Sequence, residues 1–141
     1  INNLVSFDVG YYHFQDNGGA DTSNKIDRHE KGNKVYLDRI DNLVAKYKLN
    51  DLGLIKTDVE GFDFDALRGA QETINKNRDC IVFFERWADV DINSFYELFN
   101  QLSFKIFALN NNKKIDCNKS TIDKSPNLFA VCEKKFNYIN N

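Results

Sequence analysis

The feature that most constrains this chain is the alternation of short apolar runs with stretches of helical spacing. Cys80-Ile81-Val82-Phe83-Phe84 is continuously apolar and closes on Glu85. A strand reads this way when both of its faces are covered, as in the middle of a parallel sheet. Leu52 to Asp58 reads as a second buried strand. Between the two, the spacing of Leu67, Ala70, Gln71 and Ile74 predicts a helix over 64–77, with Asp63 as its cap. Ile40, Leu43, Val44 and Tyr47 predict an earlier helix of about three turns, capped by Asp38. Phe95, Leu98, Phe99 and Leu102 form the stripe of a third. Lys105–Leu109 and Leu128–Cys132 read as strands with only a polar loop, 110–124, between them. Pro126 just before the last run suits a strand start.

Alternating strands and helices imply crossover connections, hence an α/β sheet with helices on both faces. The expected fold is therefore a mostly parallel sheet closed by an antiparallel hairpin at one edge. At the amino end, Leu4 to Phe14 is rich in strand formers and is interrupted by Gly10, which predicts strand, turn or bulge, strand. Residues 16–34 hold Gly18, Gly19 and Gly32 among many polar groups and read as a long polar loop. No internal repeat or linker divides residues 1–141, so one domain is expected.

Composition excludes several classes. The chain has 19 basic and 21 acidic residues and a net charge of -2, with no basic block. The electrostatic footprint of nucleic-acid binding is missing. The apolar runs are far too short to span a bilayer, so no membrane association is expected. The three cysteines, Cys80, Cys117 and Cys132, are widely spaced and form no zinc or disulfide pattern. Cys80 and Cys132 lie in apolar runs and read as buried thiols of a reducing compartment, so a cytoplasmic location is expected. The sequence begins at Ile1 and contains no Met, which reads as a piece of a longer protein.

The chemistry concentrates between Leu54 and Ala70. In open α/β sheets, ligands bind at the carboxyl ends of the strands, and polar residues there are informative. Lys56, Asp58 and Glu60 alternate along one strand end and so point to one side. Glu85 ends the next strand in the same way. If the two strands are neighbours, three carboxylates converge on one rim. Such a group can act as a general base toward a substrate hydroxyl. It can hold a divalent cation through Asp58, Glu60 and Glu85. Or it can simply close turns and cap helices, since acidic groups are favoured near helix N-termini. Asp63 and Asp65 read as such caps. The strand-end position of Asp58 and Glu60 favours function, and Glu85 fits either reading. His13, among aromatics, reads as packing, and His29, in a charged loop, as solvated. Trp87, just past Glu85, fits either a pocket wall or a cover for the sheet.

Lys56-Thr57-Asp58-Val59-Glu60-Gly61, followed by Leu67-Arg68-Gly69-Ala70, resembles the signature K-x-D-x-E-G…L-x-G-A of the FkbM-type methyltransferases. Leu37-Asp38 resembles that family's L-D element. Ile81 to Glu85 resembles its apolar strand ending in Glu, and Asn127-Leu128-Phe129-Ala130-Val131 its last strand. The resemblance runs in order from about Val35 to Cys132. It implies a Rossmann-like methyltransferase sheet that uses S-adenosylmethionine and methylates a hydroxyl of a sugar, glycan or polyketide-like acceptor. It also implies catalytic roles for Asp58, Glu60, Lys56 and Glu85, with Asp58 a candidate for touching the cofactor.

One part of the family's pattern is missing. The glycines at 10, 18, 19, 32, 53, 61 and 69 form no G-x-G-x-G between an apolar strand and a helix. The chain therefore reads as the C-terminal half of such a domain, with the main cofactor-binding half absent and little activity expected alone. The missing strands leave one sheet edge open, which invites self-association. Two other readings stand beside this one. The chain can be a non-catalytic interaction domain that kept the sheet. It can also be a cation-dependent hydrolase built on the same carboxylates, although no His ligand or nucleophile accompanies them.

Overall fold

The computed structural model describes residues 3–15, 25–27, 33–59, 61–86, 91–111, 113–117 and 127–139. The described residues form two sheets. The first runs in the order β1 (Asn3–Val5), β4 (Asn33–Asp38), β2 (Gly10–Gln15), β3 (Lys25–Asp27). The second runs β5 (Leu54–Lys56), β6 (Ile81–Glu85), β9 (Asn127–Cys132), β7 (Phe104–Asn110), β8 (Lys113–Asp116). The helices are α1 (Ile40–Lys46), α2 (Asp63–Arg68), α3 (Gln71–Lys76), α4 (Ile92–Gln101) and α5 (Glu133–Tyr138).

The second sheet is mixed, not mostly parallel. β5 and β6 pair in parallel, as expected, but β6–β9, β9–β7 and β7–β8 are antiparallel. The reason lies in the connections. α4 carries the chain from β6 back to the start of β7, so those two strands run the same way. β9 then enters between them in the opposite direction. The expected pairing of 105–109 with 128–132 is present, but it is interior. The edge hairpin is β7–β8, and its second strand lies inside the stretch expected to be a polar loop. Alternating charged and apolar side chains at Lys114 and Ile115 are too short a signal to mark β8 from sequence.

Other expectations shift for local reasons. The 16–34 loop contains β3, and β4 already begins at Asn33; residues 16–24 and 28–32 lie outside the described residues. The single helix expected over 64–77 is two helices broken at Gly69-Ala70. A Cβ on Gly69 would stand 2.4 Å from the Ser6 carbonyl oxygen. The chain turns there so that the first sheet can meet the helices at bare backbone. Asp38 is not the N-cap of α1. Arg39 holds that position, and the Asp38 carboxylate accepts from Arg39 N and Asn42 Nδ2 at 2.9 and 2.8 Å. α1 itself has seven residues, about two turns. α3 receives its cap from elsewhere. The Asp41 carboxylate on α1 accepts from Thr73 N at 2.8 Å and Glu72 N at 3.3 Å, while Asp41 N donates to Gly69 O at 2.9 Å.

The core lies between α2–α4 and one face of the second sheet. Ile55, Val82, Phe84, Leu128, Ala130 and Ile106 meet Leu67, Ile74, Phe95 and Phe99 there. Phe84 stacks on Phe95 and Phe99 with ring centroids 4.9 and 5.3 Å apart. Full burial of each such side chain is worth roughly 1.5–3 kcal/mol. The opposite face carries a row set by register: Lys56 beside Phe83, Phe83 opposite Phe129, Phe129 opposite Phe107. Phe83–Phe129 and Phe129–Phe107 stack at 4.8 and 5.4 Å, and Phe136 of α5 covers only the Phe107 end. Cys80 and Cys132 are buried as expected. Burial pushes the Cys80 thiol up, which makes it a poor nucleophile. No helix among the described residues is long and apolar enough to cross a membrane.

Candidate functional site

The site forms where β5 and β6 part. The last bond of their ladder runs from Thr57 N to Phe83 O, at 2.9 Å. Beyond it the chain leaves β5 through Asp58 and Val59 and turns at Gly61, whose φ of +91° strongly favours glycine. Phe62 N returns to Val59 O at 3.1 Å and α2 begins at Asp63.

Lys56 and Asp58 fall on one side, as the alternation predicts. Lys56 Nζ meets Asp58 Oδ2 at 3.0 Å, and both side chains are about half exposed, at 52% and 51%. The same ammonium lies 5.9 Å from the Phe83 ring centroid. Thr57 faces inward, 3% exposed, and its hydroxyl has no partner among the described residues. Glu85 ends β6 half-buried and opposite Asn127, the first residue of β9. Glu60, His29 and Trp87 lie outside the described residues.

The expected three-carboxylate cation site is therefore not assembled by what is described. Among the described residues no group of three His, Cys, Asp or Glu side chains could hold a metal. Asp58 has its own partner in Lys56. Asp65 pairs with Arg68 at the surface, at 3.4 Å. Asp63 departs from its expected role. It is the first residue of α2 rather than its N-cap, it is 2% exposed, and its carboxylate accepts from Val59 N at 3.3 Å and Glu85 N at 3.4 Å. It joins the two strand ends instead of capping its helix.

Sequence reasoning missed two contributors to this corner. One is Asn127, whose level with Glu85 follows only from the antiparallel entry of β9. Its signal was present, since it is a polar residue at the start of an apolar run. The other is the aromatic floor of Phe83 and Phe129, which read as ordinary core. His13 sits half-buried on β2 and forms no part of the corner. Burial pushes the Tyr96 hydroxyl up to about 12. Tyr96 belongs to α4, where it donates to Cys117 O. A groove of about 610 Å³ between α1 and α3, lined by Asp41, Val44, Lys48, Glu72, Lys76 and Asn77, opens toward the amino ends of β5 and β6. It is not this site.

The sequence model of the methyltransferase FkbM domain matches residues 6–116. The chain belongs to this family. The matched stretch runs from Ser6 through β8, so it holds β5, β6 and α2, which shape the Lys56–Gly61 corner, though not β9, and it begins well before Val35. No curated protein and no solved structure matches the chain. Within this FkbM methyltransferase domain, the signature divides into an exposed, charged beginning at Lys56 and Asp58 and a packed end at Leu67–Ala70.

Proposed function

We propose that this domain serves an S-adenosylmethionine-dependent methyltransferase that transfers the methyl group to a hydroxyl oxygen of a sugar, glycan or polyketide-like acceptor. The observation that carries the reading is Asp58: a half-exposed carboxylate, held by Lys56 at 3.0 Å, at the carboxyl end of a parallel strand. A hydroxyl is a weak nucleophile at neutral pH, and a carboxylate placed to take its proton assists attack on the sulfonium methyl. Lys56 orients that carboxylate. Glu60 follows two residues on in the sequence and Glu85 ends the neighbouring parallel strand, and Asp58 is the described residue best placed to approach the cofactor. The reversed strand β9, inserted between β6 and β7, is compatible with a Rossmann-like methyltransferase layout. S-adenosylmethionine supplies the methyl group when bound.

The test is methyl transfer by the full-length protein from tritium-labelled S-adenosylmethionine to a panel of methyl glycosides and hydroxylated macrolactones. Asp58→Asn keeps the shape and removes the charge. It should lower turnover by about 10²–10⁴-fold while cofactor binding persists. Full activity in both Asp58→Asn and Glu60→Gln reduces these carboxylates to turn residues. A chelator separates the routes: loss restored by magnesium means a cation held through Asp58, Glu60 and Glu85, and indifference means direct base help.

Self-association belongs to the same reading. β5 is an edge strand among the described residues, and Leu54 on it is 59% exposed. An unprotected edge of this kind pairs with other strands. Sedimentation of the 141-residue chain should show a concentration-dependent dimer, and Leu54→Lys should abolish it.

A further inference from the structure

We propose that Asp63 is a positioning residue: its buried carboxylate takes the place of the next rung of the β5–β6 ladder and sets the backbone beside Asp58 and at Glu85. In a parallel pair the rung after Thr57 N–Phe83 O would use the N–H groups of Val59 and Glu85. Both instead donate to Asp63, one to each oxygen, at 3.3 and 3.4 Å. The two N–H groups sit at the point where the strands part. Left alone they would be two orphaned donors near a buried position, a costly arrangement. One carboxylate satisfies both and lets the strands separate.

The consequence for the site is geometric. Val59 lies between Asp58 and Glu60, and Glu85 is itself the second donor. One side chain thus fixes the backbone next to Asp58 and at Glu85. A plain helix cap would bond the N–H groups of its own first turn. Asp63 makes no such bond and reaches outward to two other segments. Asp65, two residues on, makes the contrast. It is a third exposed and bonds only Arg68 on its own helix.

This inference rests on the reading of Asp58 as the acceptor-facing carboxylate, and its test keeps the two apart. Asp63→Asn retains one acceptor oxygen and turns an amide donor toward the other N–H. Amide hydrogen exchange on the 141-residue chain should show protection at Val59 and Glu85 falling by about 10-fold or more, with Val82 and Ile106 little changed. Unchanged protection at both amides overturns the proposal. So does a loss spread evenly through the core, which would mark a merely structural residue. Kinetics in the full-length protein supply the second arm, with tritium-labelled S-adenosylmethionine and the methyl glycoside panel as probes. Asp63→Asn should lower kcat by about tenfold with KM for the cofactor unchanged, and Asp63→Glu should recover part of it. The double variant Asp63→Asn/Asp58→Asn should be no slower than Asp58→Asn alone, because Asp63 acts through Asp58. Multiplying losses overturn the positioning role. If Asp58→Asn alone leaves turnover intact, the site reading fails, while the exchange data still decide whether Asp63 brackets the strands.

Discussion

The two ends of the signature, Lys56–Gly61 and Leu67–Ala70, lie fourteen residues apart at most and obey different physics. At the far end every feature has a packing reason. Leu67 and Ala70 are fully buried, and Gly69 lies against the Ser6 carbonyl where no Cβ fits. At the near end only Gly61 has one, through its positive φ. Lys56 and Asp58 are half exposed and bonded to each other, with the Lys56 ammonium 5.9 Å from the Phe83 ring centroid. A sequence signature can therefore mix residues that fold the chain with residues that have no folding duty. The second kind is where chemistry is to be sought.

Stability measurements can break this comparison. Gly69→Ala should cost the most, about 3 kcal/mol, at the top of the range for overpacking, because the clash is with backbone that cannot rotate away. Chemical denaturation of the variant reads it, and a change under about 1 kcal/mol would show that the first sheet gives way easily. Asp41→Ala should come next, at about 1–2 kcal/mol, since it removes the cap of α3 and leaves two N–H groups without their acceptor. Its cost should appear as a lower thermal midpoint. Asp58→Asn should be nearly silent, within about 0.5 kcal/mol, because an exposed ion pair contributes little. A loss as large as that of Asp41→Ala would place Asp58 among the folding residues and erase the contrast.

Much of the second sheet was legible from residues alone. The apolar run at Cys80–Phe84, the stripe on α4 and the strands at 105–109 and 128–132 are all where periodicity puts them, because burial on a fixed face leaves a repeating mark. Direction and neighbourhood left no such mark. Nothing in Leu128–Cys132 says that it runs between β6 and β7 rather than beside one of them. The break at Gly69-Ala70 was also hidden, since Leu67, Ala70 and Ile74 keep helical spacing across it. At the site, the alternation of Lys56 and Asp58 was readable. The reach of Asp63 was not, because an acidic residue at a helix start looks the same whether it caps its own helix or bonds a distant strand. Asn127 entered only once register was known.

The place of β9 also bears on how the protein is made. A chain emerging from the ribosome N-terminal end first would have released β5, β6, β7 and β8 before the strand that unites them. Until Asn127–Cys132 arrives, β5–β6 and β7–β8 are two separate ribbons, each with a bare interior edge. The pairing that joins them spans the largest sequence separations in the sheet, the slowest kind to form. Every nascent copy thus passes through a stage with two open strand edges, and adjacent copies on one message are the first neighbours able to fill them.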